Sequence, residues 1–202
     1  MHKVIQPKIM YFGTPVILIS TLNEDGTPNL APISSAWWLG QNCMIGMGTS
    51  SKTVENLRRE KQCVLNLPSA DMVDVVDHLA LTTGKNPIPE YKTKMKFIYE
   101  PNKFERAGLT KMESELVNAP RAKECPVHLE ALVKREHHFG GENSKLAGIE
   151  LEIIRTHIEE DLLNSEKRHY IDSDKWKPLI MIFCEFYGTG NKIHRSRLAE
   201  VF

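Results

Sequence analysis

The sequence predicts an α+β fold built on an antiparallel β-barrel, closed or nearly closed and decorated by peripheral helices. Three observations predict it. Four short apolar runs follow one another within the first seventy residues. One helical segment sits between the third and fourth runs, so strand and helix do not alternate as a parallel βαβ fold requires. Further along, apolar and polar residues alternate with a period of two, the mark of strands with one buried face.

Val16 to Thr21 (VILIST) is rich in β-branched residues and reads as the first strand. Asn23-Glu24-Asp25-Gly26 is a turn with Asp25-Gly26 at its tip, and Asn29 to Trp38 resumes an extended pattern, which makes the start a hairpin. Asn42 to Met47 is a third short strand. Ser50 or Ser51 then caps a helix that Val54, Leu57 and Arg58-Arg59 continue, and Gln62 to Leu67 is the fourth strand. Between Asp71 and Leu81, residues Met72, Val73, Val76, Leu79 and Ala80 share one face of a predicted helix, and Asp71, Asp74, Asp77 and His78 the other. Residues 82–102, with Pro87, Pro89 and Pro101, read as a surface excursion, a lid or a dimer arm. Val127, Leu129, Ala131 and Val133 alternate with His128, Glu130 and Lys134, and Ile149, Leu151 and Ile153 with Glu150 and Glu152, giving two half-buried strands. Pro178 to Tyr187 (PLIMIFCEFY) is apolar enough for one more strand. Residues 188–202, with Gly188, Gly190 and a basic Lys192 to Arg197, form a tail without an assigned element.

A chain of 202 residues favours a single domain spanning 1–202. Lys+Arg and Asp+Glu number 26 each with no basic block, which argues against a nucleic-acid partner. Cys43, Cys63, Cys125 and Cys184 are far apart, each among apolar residues in an expected strand, as buried thiols of a reducing compartment are. No apolar run approaches the ~18 residues of a membrane span, and the N-terminus has no leader pattern, so no membrane partner and a cytoplasmic location are expected.

The chemistry concentrates at Thr49-Ser50-Ser51-Lys52-Thr53. Hydroxyl donors, one cation and the first free N–H groups of a helix point the same way there, an arrangement suited to a phosphate. The plainer role for the same residues is an N-cap. Glu136-His137-His138 is the densest metal-type cluster, but adjacent strand residues face opposite ways and no HExxH spacing exists, so no metal site is expected. Ser34-Ser35 lies in no GxSxG elbow, no cysteine has an evident histidine partner, and Gly46-Met47-Gly48 lacks the third glycine of a dinucleotide fingerprint. A phosphate cradle with no catalytic acid, base or nucleophile points to chemistry left to a cofactor.

The order Thr14-Pro-Val-Ile-Leu-Ile-Ser-Thr21, Glu24-Asp-Gly-Thr-Pro-Asn29, Ile33-Ser-Ser35, Ser50-Ser-Lys-Thr-Val-Glu-Asn56 and Cys63-Val-Leu-Asn66 resembles the flavin reductase-like family, whose fold is the FMN-binding split barrel. Lys103 to Thr110 and Glu124 to Glu130 agree, so the resemblance covers roughly residues 12 to 133. It is strongest to the flavin reductase components of two-component monooxygenases and to flavoredoxins. The resemblance implies non-covalent FMN, its phosphate on Thr49, Ser50, Ser51, Lys52 and Thr53 and its ring along Ser34, Ser35, Ala36 and Trp37, with the register of the two serines open by one residue. It further implies that Asn66 approaches the flavin with its amide or its backbone and that Lys103 to Thr110 packs at its mouth, from either subunit of a homodimer. The activity implied is NAD(P)H-dependent flavin reduction, with electrons passed to a second flavin, to oxygen or to a partner such as a flavin-dependent monooxygenase. Several alternatives stand beside it. The protein is an electron carrier without its own reductase activity, a split barrel for pyridoxal phosphate or haem, or an assembly module. Trp37 or Trp38 faces the core, Asn66 merely ends a strand, and Lys103 and Lys111 are solvated charges. Residues 82–102 and those after about 155 depart from the family pattern.

Overall fold

The computed structural model describes residues 1–141 and 143–200; positions 201–202 of the C-terminal tail lie outside the described residues. In chain order the elements are β1 (Phe12–Pro15), β2 (Ile17–Leu22), β3 (Pro28–Ile33), β4 (Ala36–Leu39), β5 (Asn42–Gly48), α1 (Lys52–Glu60), β6 (Gln62–Leu67), α2 (Val73–Asp77) and β7 (Thr82–Thr83). There follow α3 (Glu90–Lys94), β8 (Ile98–Tyr99), α4 (Lys103–Arg106), β9 (Lys111–Met112), β10 (Arg121–Ala122), β11 (Val127–Phe139), β12 (Leu146–Ile158), β13 (Ile180–Ile182) and β14 (Glu185–Tyr187). No helix among the described residues is long and apolar enough to cross a membrane.

The main sheet has seven strands in the order β3-β2-β6-β11-β12-β5-β4, and every pair in it is antiparallel. Its two edge strands, β3 and β4, are separated in sequence by Ser34 and Ser35 alone. A connection that short spans at most roughly 10 Å. The sheet must therefore roll until its edges nearly meet, and because β3 and β4 do not pair, the barrel stays split at this seam. A single extended run over 29–38 is thus corrected: the chain leaves one edge at Ile33 and enters the other at Ala36.

Inside the barrel, Ile17, Ile19, Ile45, Leu65, Ile149 and Leu151 pack with Val54 and Leu57 of α1. Fully burying each such side chain contributes about 1.5–3 kcal/mol. Helix α1 starts at the Ser51 cap and stops at Lys61, whose φ of 56° is left-handed. The outer face of β2 is buried too, since Leu18 packs with Val76, Leu79, Phe104 and Leu179. Burial on both faces explains why Val16 to Ile19 is an unbroken apolar run rather than an alternating one.

Of the polar face expected on β11, His128 and Glu130 are buried and Lys134 is exposed. Glu130 is fully enclosed, accepting the Glu115 and Leu116 N–H groups at 2.9 and 2.6 Å and bonding His157 Nε2 at 2.7 Å. The helix expected from 71 to 81 has the right faces, with Asp71, Asp74, Asp77 and His78 exposed and Val76 and Leu79 buried. It is shorter than its pattern, a 3-10 turn at Ala70–Met72 followed by the five residues of α2. Pro178 to Tyr187 is not one strand but the β13–β14 hairpin, with β13 also paired to β1. Its two-residue turn is Phe183-Cys184, at φ 46° and 68°, a turn normally signalled by Gly or Asn. Cys184 is consequently exposed at that tip, and buried Cys125 sits in a turn, whereas Cys43 and Cys63 are buried strand thiols.

Candidate functional site

The hydroxyls expected to form a cradle converge at the start of α1. Ser51 is the N-cap, its Oγ accepting the Val54 N–H at 3.2 Å. Ser50 Oγ lies 3.1 Å from the Tyr91 hydroxyl, and Thr49 Oγ1 donates to the Lys145 carbonyl at 3.3 Å. Thr53 is buried and accepts from Asn29 Nδ2 at 3.1 Å. Lys52 Nζ bonds Glu55 at 2.8 Å, and Lys85 reaches the other oxygen of the same carboxylate. Hydrogen bonds from Lys52 and then Lys85 hold the Glu55 carboxyl down at about 2.

Segment 82–102 is the far wall of this cradle. Thr82 and Thr83 are buried, and Lys92 Nζ donates to Thr83 Oγ1 at 3.2 Å while lying 5.1 Å from the Phe97 ring centre. The next element, α4, supplies Lys103, which is not solvated as an isolated surface cation would be: it is only 4% exposed. Burial first, and Lys92 nearby second, push its amine down to about 8, with Glu100 opposing them. Ser51, Lys52, Thr53, Lys92 and Lys103 together line a cavity of about 250 Å³. Lys111, by contrast, is exposed.

A second, mostly apolar cavity of about 800 Å³ is lined by Ser35, Ala36, Trp37, Met47, Phe139 and Leu146. Ser35, not Ser34, faces it, and its hydroxyl lies 3.1 Å from the Tyr11 hydroxyl. Trp37 stands at the rim, 57% exposed, whereas Trp38 packs against the barrel core. Met47 lines both cavities, so the lysine-lined one adjoins the apolar one at this residue.

Asn66 does not reach either cavity. Its side chain is fully buried, donating to the Leu18 carbonyl at 2.8 Å and accepting from the Ala122 N–H at 2.8 Å and from His128 Nδ1 at 3.0 Å. Every polar atom of the amide is committed to the core, which leaves the backbone as the part of Asn66 free to approach a ligand. Among the described residues no group of three or more His, Cys, Asp and Glu is arranged to hold a metal. In the expected cluster, Glu136 is paired with Arg58 at 2.9 Å and His137 with Glu150 at 3.2 Å.

Sequence reading missed Asn29, Met47, Gly84 and Lys92. Asn29 carries the one usable signal, since it closes the turn segment that aligns with the family pattern; the others become visible only when distant segments meet.

The flavin reductase like domain model matches residues 9–183. The chain belongs to the flavin reductase-like family. The uncharacterized protein YdfE of Bacillus subtilis (strain 168) is 40% identical over 198 residues, covering 98% of this chain and 94% of that protein. Among solved structures, the flavoredoxin of Desulfovibrio vulgaris (Miyazaki F) has a TM-score of 0.80 at 20% identity, covering 99% of this chain and 100% of that one. Nitrilotriacetate monooxygenase component B from Bacillus cereus has a TM-score of 0.74 at 18% identity, covering 91% and 88%. At such identities the structural likeness establishes the fold, the split barrel that the β3–β4 seam describes.

Proposed function

We propose that the protein binds FMN non-covalently across the two adjoining cavities and serves as an NAD(P)H-dependent flavin oxidoreductase. The observation that carries this reading is the sharing of Met47 between a cavity lined by Lys52, Lys92 and Lys103 and a larger, mostly apolar one. FMN has the same division, a phosphate at one end and a flat apolar ring at the other. The phosphate bears a charge of about −1.5 to −2, which matches lysines and the first free N–H groups of α1. The approach of Gly84 also fits, since a side chain there would press on Asn29 and Lys52 and fill the cradle.

In this reading Lys52 and the start of α1 anchor the phosphate, and Ser35, Ala36 and Trp37 line the ring. When bound, the flavin supplies the redox chemistry, taking a hydride from the nicotinamide and releasing electrons to a second flavin, oxygen or a partner protein. The chain contributes position and exclusion of water; no side chain is assigned as acid or base. Trp37, Leu39, Phe139 and Leu146 leave apolar surface exposed, and a second copy of the chain would cover it, giving a homodimer. A structural neighbour named as a monooxygenase component makes a flavin-dependent monooxygenase one candidate acceptor. The buried thiols of Cys43, Cys63 and Cys125 suit a cytoplasmic setting.

Anaerobic mixing of the FMN-loaded protein with NADH and with NADPH tests the activity. At least one nucleotide is expected to bleach the flavin absorbance. If neither does, the reductase reading fails and a passive electron carrier takes its place.

A further inference from the structure

Beyond β12 the chain crosses one end of the barrel. It is tied down on both sides, with the Glu159 N–H donating to the Pro126 carbonyl at 3.0 Å and the Ala70 N–H to the Lys177 carbonyl at 2.9 Å. Between those ties Ile171 and Trp176 enclose, with Trp38, Leu67, Leu129 and Ile158 of the barrel, a cavity of about 330 Å³. It shares no lining residue with the two cavities described above. Gly148 lines the Ser35 cavity and Thr156 this one, eight residues and about 26 Å apart along β12.

No ionisable side chain lines the cavity, and Thr156 is its one polar residue, so a charged molecule would lose its hydration there without compensation. Two indoles, those of Trp38 and Trp176, offer flat apolar faces on which an aromatic ring stacks or meets edge to face. Trp38 Nε1 is buried and has no acceptor among the described residues, an uncommon and costly state for a donor. The volume lies at the lower end of the ~300–1,000 Å³ range of ligand cavities, which suits one ring or two fused rings.

We propose that this cavity at the end of the barrel is a second ligand site, for a neutral one- or two-ring aromatic compound whose carbonyl oxygen or ring nitrogen accepts the Trp38 N–H. Trp37, the neighbouring strand position, faces the other way, so β4 contributes one indole to each apolar cavity. The site stands whether or not the protein binds FMN.

Quinoline and naphthalene share a shape, but only quinoline carries an acceptor, which makes them the probes. Isothermal titration of the whole protein with each, at a pH where quinoline is neutral, measures both affinities with and without excess FMN. Quinoline is expected to bind at one site per chain, roughly ten-fold tighter than naphthalene, as pairing one buried donor implies. Trp38→Phe keeps an aromatic ring and removes the donor, so it should bring the two affinities within about two-fold by weakening quinoline alone. Ile171→Trp, on the exposed cap, should fill the cavity and weaken both probes at least roughly ten-fold. Leu129→Phe fills it from the barrel side should Ile171→Trp fail to fold by circular dichroism. Excess FMN should change neither affinity. The proposal is overturned if neither probe binds saturably, if the native chain binds both equally, or if Trp38→Phe keeps the preference. Binding that survives the filling variants, or that FMN displaces, would also overturn it by putting the probes in the Ser35 cavity.

Discussion

Gly84 lies so close to Asn29 that a Cβ built on the glycine would sit 2.8 Å from the Asn29 Oδ1, and 3.2 Å from Lys52 Cγ. Asn29 cannot simply swing aside, because it is buried and its amide holds the Thr53 hydroxyl at 3.1 Å and the Thr21 hydroxyl at 3.4 Å. Gly84→Ala should therefore break the Asn29–Thr53 bond, at a cost of about 1–3 kcal/mol in urea unfolding. FMN affinity should fall by about an order of magnitude, because Thr53 and Lys52 are displaced together. An unchanged affinity would show that the Asn29–Thr53 pair does not shape the cradle.

The pH dependence of binding follows from Lys103. In the free protein its amine titrates near 8, against an ordinary value of 10.5. Between those values the unfolded chain binds more protons than the folded one, so this group makes stability rise with pH over that window. Ligand binding moves the other way. Phosphate needs the charged amine, so FMN affinity should decline as pH rises through about 8, while riboflavin affinity stays flat between pH 7 and 9. In Lys103→Met the FMN decline should disappear.

The buried network on β11 is a stability device separate from the ligand site. Burial opposes the charge on Glu130, but the Glu115 and Leu116 N–H groups and His157 outweigh it and leave the carboxyl below its usual range. Burial, with Arg121 and His157, pushes His128 down to about 4, so it is neutral and its Nδ1 proton goes to Asn66. Unfolding lets His128 regain its ordinary value and take up a proton, and Glu130 likewise binds protons more readily when unfolded. Stability from His128 is lost as pH falls from 6.5 towards about 4, and that from Glu130 as pH falls below its ordinary 4.5. Glu130→Gln should cost about 2–3 kcal/mol in urea at pH 7 and flatten this acid limb.

Asn66→Ala separates core from ligand. Removing an amide that satisfies Leu18, Ala122 and His128 should lower stability by about 2–4 kcal/mol. Affinity for FMN, measured where the variant is folded, should be unchanged. A selective loss of flavin affinity would restore Asn66 to the site.

Much of the fold was legible because it obeys local rules. The period-two alternation of β12, the Asp25-Gly26 turn and the Ser51 cap each answer to a few neighbouring residues. What failed depended on distant partners. Nothing local says that Ile33 and Ala36 belong to opposite edges of one sheet, or that Phe183-Cys184 can turn without glycine. Within the site, the phosphate motif announced itself through hydroxyls next to a lysine. Lys103 looked like any surface lysine, since only the fold brings it to one cavity with Thr82, Thr83, Lys92 and Phe97. The core bonds of Asn66 were hidden for the converse reason: its partners, Ala122 and His128, lie more than fifty positions away.

The most direct test of the account is the visible spectrum of the purified protein after incubation with excess FMN and removal of free flavin by gel filtration. Adjoining lysine-lined and apolar cavities built for one amphipathic ligand predict retained flavin bands near one FMN per chain, with quenched fluorescence. A spectrum without flavin bands, from folded protein, would contradict it.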